Sequence, residues 1–295
     1  EIFIHNKLKT LKTLKTLKTL KMIKIKDNKI PFNLMFYLML LIIIFPFIWM
    51  IFTSLKSSSE IIHFPPTFFP SEISFQNYRE LVLETNIVKY FYNSIITAIF
   101  TILITVISAF MTAYCLARYN NSLTKTLAAF SLLAYMVAPI MFVIPLIEVF
   151  KSIKLLNTRF SLVLAHTVIC YPFAVWILRS YLKSIPKNLE QCASIDGANF
   201  IQTLLYIIIP NAAPGLMAAS IFTFILSWND YILALIFTNS DSATLPVELI
   251  KLTSQPYVNW GVIMSTGVLI SLPIILILVF FGNRITTNLN LSLNK

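Results

Sequence analysis

The chain has 295 residues, of which 57% are hydrophobic and only 12% are charged. Soluble domains carry about 25% charged residues, so the composition excludes an ordinary soluble domain. The net charge of +11 does not indicate a nucleic-acid-binding protein, because nine lysines cluster in residues 1–30, directly before the first apolar run. Positive charge in that place is typical of the cytoplasmic flank of a membrane span.

The sequence contains no pattern of residues that is typical of a catalytic or metal site. Cys115, Cys170 and Cys192 are far apart and lack the spacing of a metal site or a redox pair. The three histidines form no HExxH pattern, and no GxxxxGK[ST] loop is present to hold a nucleotide. We therefore expect this chain to have no catalytic residue, no metal site and no cofactor of its own.

Residues 1–32 are predicted to be a basic cytoplasmic tail, with Leu-Lys-Thr repeated over residues 8–20. A three-residue repeat drifts around a helix and makes no single apolar stripe, so it is a poor amphipathic anchor. The chain begins at Glu1, and Met22 opens a short basic segment before the first apolar run. We expect Met22 to lie nearer the native start.

Apolar runs recur along the rest of the chain, and a helix needs about 20 such residues to cross a bilayer core of about 30 Å. They predict an all-α polytopic membrane protein whose membrane domain spans residues 33–285. Six transmembrane helices are expected, at about 33–52, 93–115, 126–150, 160–182, 211–238 and 262–281.

The distribution of basic residues predicts the orientation. If the N-terminus is inside, 16 of the 23 Lys and Arg fall in cytoplasmic segments, which supports cytoplasmic N- and C-termini in the bacterial inner membrane. Residues 1–30 supply the whole excess of basic residues on the cytoplasmic side.

The first outside loop, about 53–92, contains several prolines, and after them the segment Phe75–Glu80 suits a short helix. This loop either caps the bundle or docks an outside partner.

Asp230 is the one acid well inside an apolar run, and it follows Trp228 and Asn229. A charge at mid-bilayer is costly, so such residues face a bundle interior or water. Asp230 and its two neighbours are therefore candidates for a gate or pathway contact, and an interhelical hydrogen bond that fixes packing is the alternative. Proton coupling would need a second ionisable group, for which Glu148 and His166 are candidates.

The polar segment 184–210 lies between two apolar runs and predicts a helix, a glycine and a second helix. Pro186 suits a helix start, and Glu190 in the first turn suits the helix dipole. Gly197 permits a left-handed backbone angle. Such a segment would form a rigid cytoplasmic surface on which a partner can push.

This segment resembles the signature of the integral-membrane subunits of binding-protein-dependent ABC importers, which is Glu-Ala-Ala, three residues, Gly, nine residues and Ile-x-Leu-Pro. Aligned on Gly197, the first three positions hold Gln191, Cys192 and Ala193, and Pro210 follows thirteen residues after the glycine. Three residues depart from the signature: Gln191 replaces Glu, Cys192 replaces Ala and Ile209 replaces Leu. These departures leave open which residue carries a salt bridge, and Glu190 is the nearest acid.

The resemblance covers about residues 31–285. Within these importers, the chain resembles the carbohydrate-uptake branch, and in that branch the second permease of the maltose-transporter type. Four further segments carry it: Pro65 through Arg79, Ser227–Leu235, Thr244–Val247 and Asn259–Gly261. It implies a type I importer fold with six spans and a cytoplasmic coupling loop at 184–210.

The resemblance also implies the partners and the mechanism. The partners are a second permease, two cytoplasmic ABC ATPases that bind ATP and Mg²⁺, and an extracytoplasmic sugar-binding protein. The coupling loop would act as a lever, through Glu190, Gln191, Ala193, Asp196, Gly197 and Pro210. Residues 286–295, a cytoplasmic tail, are placed to touch the ATPases too.

The implied substrate is an α-linked disaccharide such as maltose or trehalose. A glycerol-3-phosphate importer of the same branch is an alternative, although the fifth span offers no Lys or Arg for a phosphate. An ion-coupled secondary carrier that acts without an ATPase is the alternative from another class.

Overall fold

The computed structural model describes residues 29–119 and 121–293, with side chains for 34–119 and 121–281. The Leu-Lys-Thr repeats and Met22 lie outside the described residues. The described part forms helices only: α1 Lys29–Ser54, α2 Ser58–Ile62, α3 Gln76–Glu84, α4 Ile87–Arg118, α5 Ser122–Tyr135, α6 Val143–Ser152, α7 Arg159–Ser184, α8 Asn188–Ile195, α9 Phe200–Thr203, α10 Ile209–Asn229, α11 Ile232–Phe237, α12 Leu245–Thr253 and α13 Trp260–Leu293.

Five long apolar stretches are candidate membrane spans: α1, α4, α7, α13 and the run Phe200–Asn229, which includes α10. The sixth candidate is a pair, α5 followed by a 3₁₀ turn and α6, bent by 100°. Pro139 opens that turn, and the missing N–H of proline favours a helix start there over a continuous helix. The all-α polytopic prediction is confirmed, with the third span a bent pair instead of one helix.

The core of the bundle is the packing of α4, α7 and α10. Small buried residues line their contacts, so the helix backbones approach closely, as is usual in membranes. Gly215 of α10 shows this directly, since a Cβ there would come within 2.7 Å of the Tyr181 side chain of α7. The buried alanines of this core are Ala109, Ala113, Ala174, Ala212 and Ala219.

The fifth predicted span differs from the structure at its end. We expected a helix over 211–238, but α10 ends at Asn229, and the backbone of Asp230 is extended, with ψ of 126°. A short helix, α11, starts at Ile232. The Asp230 carboxylate accepts the N–H groups of Leu233 and Ala234 at 3.0 and 3.1 Å, so it caps the new helix and stabilises the break.

The two ends of the bundle differ in character. The loop end carries α8 and α9 between α7 and α10, and the opposite cap end carries α2, α3, α11 and α12. At the cap end, Asn93 donates to the carbonyls of Asp241 and Ala243 at 3.0 and 2.8 Å, and Ser94 accepts the N–H of Leu245 at 2.8 Å. These bonds hold the connection between α11 and α12 against α4.

Candidate functional site

The connection between α7 and α10 has the predicted helix–glycine–helix form. Helix α8 ends in a Schellman motif, in which the N–H of Ala198 donates to Ala193 O at 2.9 Å and that of Gly197 to Ser194 O at 3.2 Å. Gly197 has φ of +82°, which the motif requires and which glycine adopts without strain. Helix α9 then begins with a capping box formed by Asn199 and Gln202.

The signature residues of this connection do not share one face. Gln191, Asp196, Gly197 and Pro210 are exposed, whereas Ala193 is buried against the bundle. Pro210 lies in the first turn of α10, behind a π-helical segment at Leu204–Ile208. The exposed end of α8 is apolar as well as polar, since Ile195 is 84% exposed.

Glu190 faces inward instead of toward solvent. It forms an ion pair with Arg118 Nε at the end of α4, and its other oxygen accepts the Tyr114 hydroxyl at 2.9 Å. Only 8% of the Arg118 side chain and 20% of the Glu190 side chain are exposed. Arg118 Nη1 also donates to the carbonyls of Leu182 and Ile185, at the end of α7, at 3.0 and 3.1 Å.

Sequence reasoning assigned no role to Arg118 or Tyr114. The sequence offered one signal: Arg118 is a basic residue in the last turn of its helix, where such residues can bind terminal carbonyls, although the carbonyls that it binds lie at the end of α7. The identity of its acid partner depends on the packing of α4 against α7 and α8, which the local sequence pattern does not define.

Trp228, Asn229 and Asp230 point in three directions. Trp228 is buried and its indole donates to Ile270 O of α13 at 2.9 Å. Asn229 is exposed and donates to Ile225 O at 3.0 Å within its own helix. Asp230 turns toward α7, so the three residues do not form one site.

Asp230 belongs to a buried hydrogen-bond network with His166 of α7. His166 Nε2 lies 3.2 Å from Asp230 Oδ2, and His166 Nδ1 lies 2.9 Å from the hydroxyl of Ser227. Of the two groups considered for proton coupling, the structure thus brings His166 to Asp230, while Glu148 is exposed on α6. Every polar atom of the imidazole has a partner, which suits a packing contact.

Segments far apart in sequence meet at the cap end. Asn77 donates to the carbonyls of Ser54 and Lys56 at 3.0 and 2.7 Å, and a Cβ on Gly261 would overlap its amide. Asn259 donates to Glu80 at 3.0 Å. The first loop is therefore built into a cap over the bundle, and the short helix expected near Phe75–Glu80 is present as α3.

Glu60 organises the exposed rim of this cap. Although desolvation raises its pKa, hydrogen bonds from Thr67 and Ser71 and the charge of Lys56 lower the pKa below its ordinary value. Its carboxylate accepts the Thr67 hydroxyl at 2.9 Å and the Ser71 hydroxyl at 3.0 Å. The described residues contain no group of three His, Cys, Asp or Glu that could hold a metal ion.

Long apolar helices, a polar helix–glycine–helix connection at one end and a cap at the other define the class of the protein as a polytopic helical membrane protein. The family model of the binding-protein-dependent transport system inner membrane component matches residues 104–290, and the chain belongs to that family.

Curated relatives extend the similarity over most of the chain. A sulfoquinovosyl glycerol transport system permease protein of Agrobacterium fabrum is 30% identical, covering 83% of this chain and 87% of its own. A trehalose transport system permease protein of Mycobacterium tuberculosis is 34% identical, covering 83% and 89%. A bacterial ABC transporter involved in alginate import has the same fold, with a TM-score of 0.75 at 22% identity over 86% of this chain and 95% of the other.

Proposed function

We propose that this chain is a permease subunit of an ATP-driven, binding-protein-dependent sugar importer. The observation that carries the proposal is the α8–Gly197–α9 surface, which is exposed at its tip and closed by a rigid Schellman motif, in a member of this family. Both permease relatives named above transport sugar derivatives or sugars by their names, which supports a sugar as substrate.

In this function the chain pairs with a second permease, and each permease presents its α8 to one of two cytoplasmic ATPases. The ATPases bind ATP and Mg²⁺, and a sugar-binding protein delivers the substrate at the cap end. Closure of the ATPases displaces α8 and switches the pathway from inward- to outward-facing. Both termini are then cytoplasmic, in agreement with the basic residues before the first span.

The coupling residues act by shape and rigidity in this proposal. Gln191, Ile195 and Asp196 form the exposed tip that a cleft of the ATPase would receive. Ala193 packs α8 onto the bundle, and Gly197 closes the turn. These roles require no chemistry of this chain, so it is a transport subunit and the hydrolysis of ATP belongs to its partners.

We propose an α-linked disaccharide similar to trehalose or maltose as the substrate. The trehalose permease relative supports this choice. A glycerol-3-phosphate substrate is the alternative, and it would favour Arg or Lys along the path, whereas α10 contains neither.

The His166–Asp230 pair is the observation that favours a candidate from another class, an ion-coupled carrier. Paired ionisable groups inside a membrane mark proton relays in many transporters. A carrier of this kind would work without an ATPase, and its transport would collapse when a protonophore dissipates the gradient.

Purification of the chain from its native membrane in mild detergent, followed by reconstitution in proteoliposomes, tests the proposal. We expect two ATPase copies and a second permease in the purified complex, and uptake of radiolabelled trehalose or maltose that needs ATP and the binding protein. A chain that purifies alone and whose uptake follows a proton gradient would overturn the proposal in favour of the carrier.

A further inference from the structure

Three helices meet at the Arg118 side chain. It pairs with Glu190 of α8, and its Nη1 donates to two terminal carbonyls of α7, while its own backbone belongs to the last turn of α4. In return, Lys187 Nζ donates to the carbonyl of Arg118 at 2.7 Å. We call this set of contacts, with Tyr114, the Arg118 junction.

Tyr114 joins the second helix of the coupling connection to the same point. Its hydroxyl donates to Glu190, and its ring packs edge-on against Phe200 of α9, with centroids 5.9 Å apart. The guanidinium of Arg118 lies 5.7 Å from the centre of the same ring. The junction therefore contacts both helices that flank Gly197.

We propose that Arg118 is the positioning residue that ties α8 to the ends of α4 and α7, so that a displacement of α8 is carried into two of the three helices that form the core of the bundle. This inference rests on the proposed coupling role of α8. A planar guanidinium can serve a carboxylate and two carbonyls at once, which the single ammonium of lysine does less well.

The Arg118–Glu190 pair is mostly desolvated. Single and double substitutions of the pair can therefore distinguish a positioning role from simple charge compensation. Removing one partner of such a pair leaves an uncompensated buried charge and is strongly destabilising, whereas removing both charges is often tolerated. Arg118→Met and Glu190→Gln alone should thus lower the thermal stability, and the double variant should recover it. The link that the Arg118 side chain forms between α8 and the end of α7, in contrast, is lost both in Arg118→Met and in the double variant.

The experiment uses the whole complex in proteoliposomes, with a Cys115→Ser background and a nitroxide spin label on Cys192, the exposed cysteine of α8. In the double variant we expect a melting temperature close to that of the wild type. We also expect a more mobile label and a ratio of ATP hydrolysed to trehalose or maltose imported that rises by roughly fivefold or more. Arg118→Lys should give intermediate values.

Lys183→Met is the matched control, because it removes an exposed cation from the same end of α7. It should leave both the label and the ratio unchanged. A double variant with wild-type label mobility would overturn the proposal, as would a wild-type transport ratio, because the pair then only compensates charge. If the wild type imports neither sugar, the proposed substrate fails, and the label mobility still decides the role of Arg118.

Discussion

Gly197 illustrates how one residue sets the geometry of the connection between α8 and α9. Its φ of +82° lies in a region that residues with a Cβ adopt only with strain, and the Schellman bonds on both sides depend on that angle. A Cβ there would meet nothing within 4 Å. The constraint that the structure shows at Gly197 is therefore the backbone angle, and the open space beside it is what the proposed coupling role requires.

Two substitutions at Gly197 separate these causes. Gly197→Ala should cost about 1 kcal/mol of stability through the backbone angle while the complex still transports. Gly197→Trp adds a bulky side chain on the exposed tip, so we expect membrane insertion with transport lost. Uptake assays and quantification of the inserted protein measure both effects, and normal uptake by Gly197→Trp would count against the lever.

Asp230 is the second residue whose substitution tests the account. Its carboxylate accepts two backbone N–H groups of α11 and contacts His166, which are roles that an amide oxygen can also fill. Asp230→Asn should keep most of the uptake, whereas Asp230→Ala should lose about 1–2 kcal/mol of stability through the missing cap. Loss of uptake in the stable Asn variant would instead indicate an ionisable group in a proton pathway.

At the scale of elements, α4 connects both ends of the molecule. Its cap end holds the α11–α12 connection through Asn93 and Ser94, and its loop end carries Arg118. Between them lies a buried stripe of hydroxyls, Thr97, Thr101 and Thr105, whose oxygens have no hydrogen-bond partner among the described residues. Buried hydroxyls without partners cost stability, so this stripe is a weak point of the helix packing.

Thr101→Val tests the stripe, because it replaces an unpartnered hydroxyl by a methyl group of similar size. We expect the free energy of unfolding to rise by about 1 kcal/mol. Thr112→Val is the matched control on the same helix: its hydroxyl lies 2.6 Å from that of Tyr171, so the substitution should lower stability. Thermal unfolding in detergent measures both variants. Destabilisation by Thr101→Val would show that water or another group partners this hydroxyl.

At the scale of the whole molecule, the apolar runs predicted the long helices, because the period and length of such runs depend only on local sequence. The bend after α5 and the break at Asp230 were missed, since Pro139 and Asp230 each stand in a continuous apolar run. The surroundings of Asp230 include partners such as His166, which lies 64 positions away in sequence. The left-handed turn at Gly197 was predicted correctly, because a glycine within a polar segment is a local feature of the sequence.

The Arg118 junction and the contacts that hold the cap together were beyond prediction for the same reason. Arg118 and Glu190 are 72 positions apart, and Asn77 and Gly261 are further apart still. The segments around Asn77 and Gly261 are among those that carry the family resemblance, and the structure brings the two residues into contact. The local sequence thus indicated which segments resemble the family, whereas the contacts between these segments are set by tertiary packing.

The measurement that tests the central claim most directly is site-specific photo-crosslinking in the intact complex. A photoreactive residue replaces Ile195 at the tip of α8 or, as the control, Tyr257, which is 92% exposed at the cap end. We predict that position 195 crosslinks to the ATPase and position 257 does not. Crosslinks to the ATPase from 257, with none from 195, would contradict both the coupling surface and the orientation of the chain.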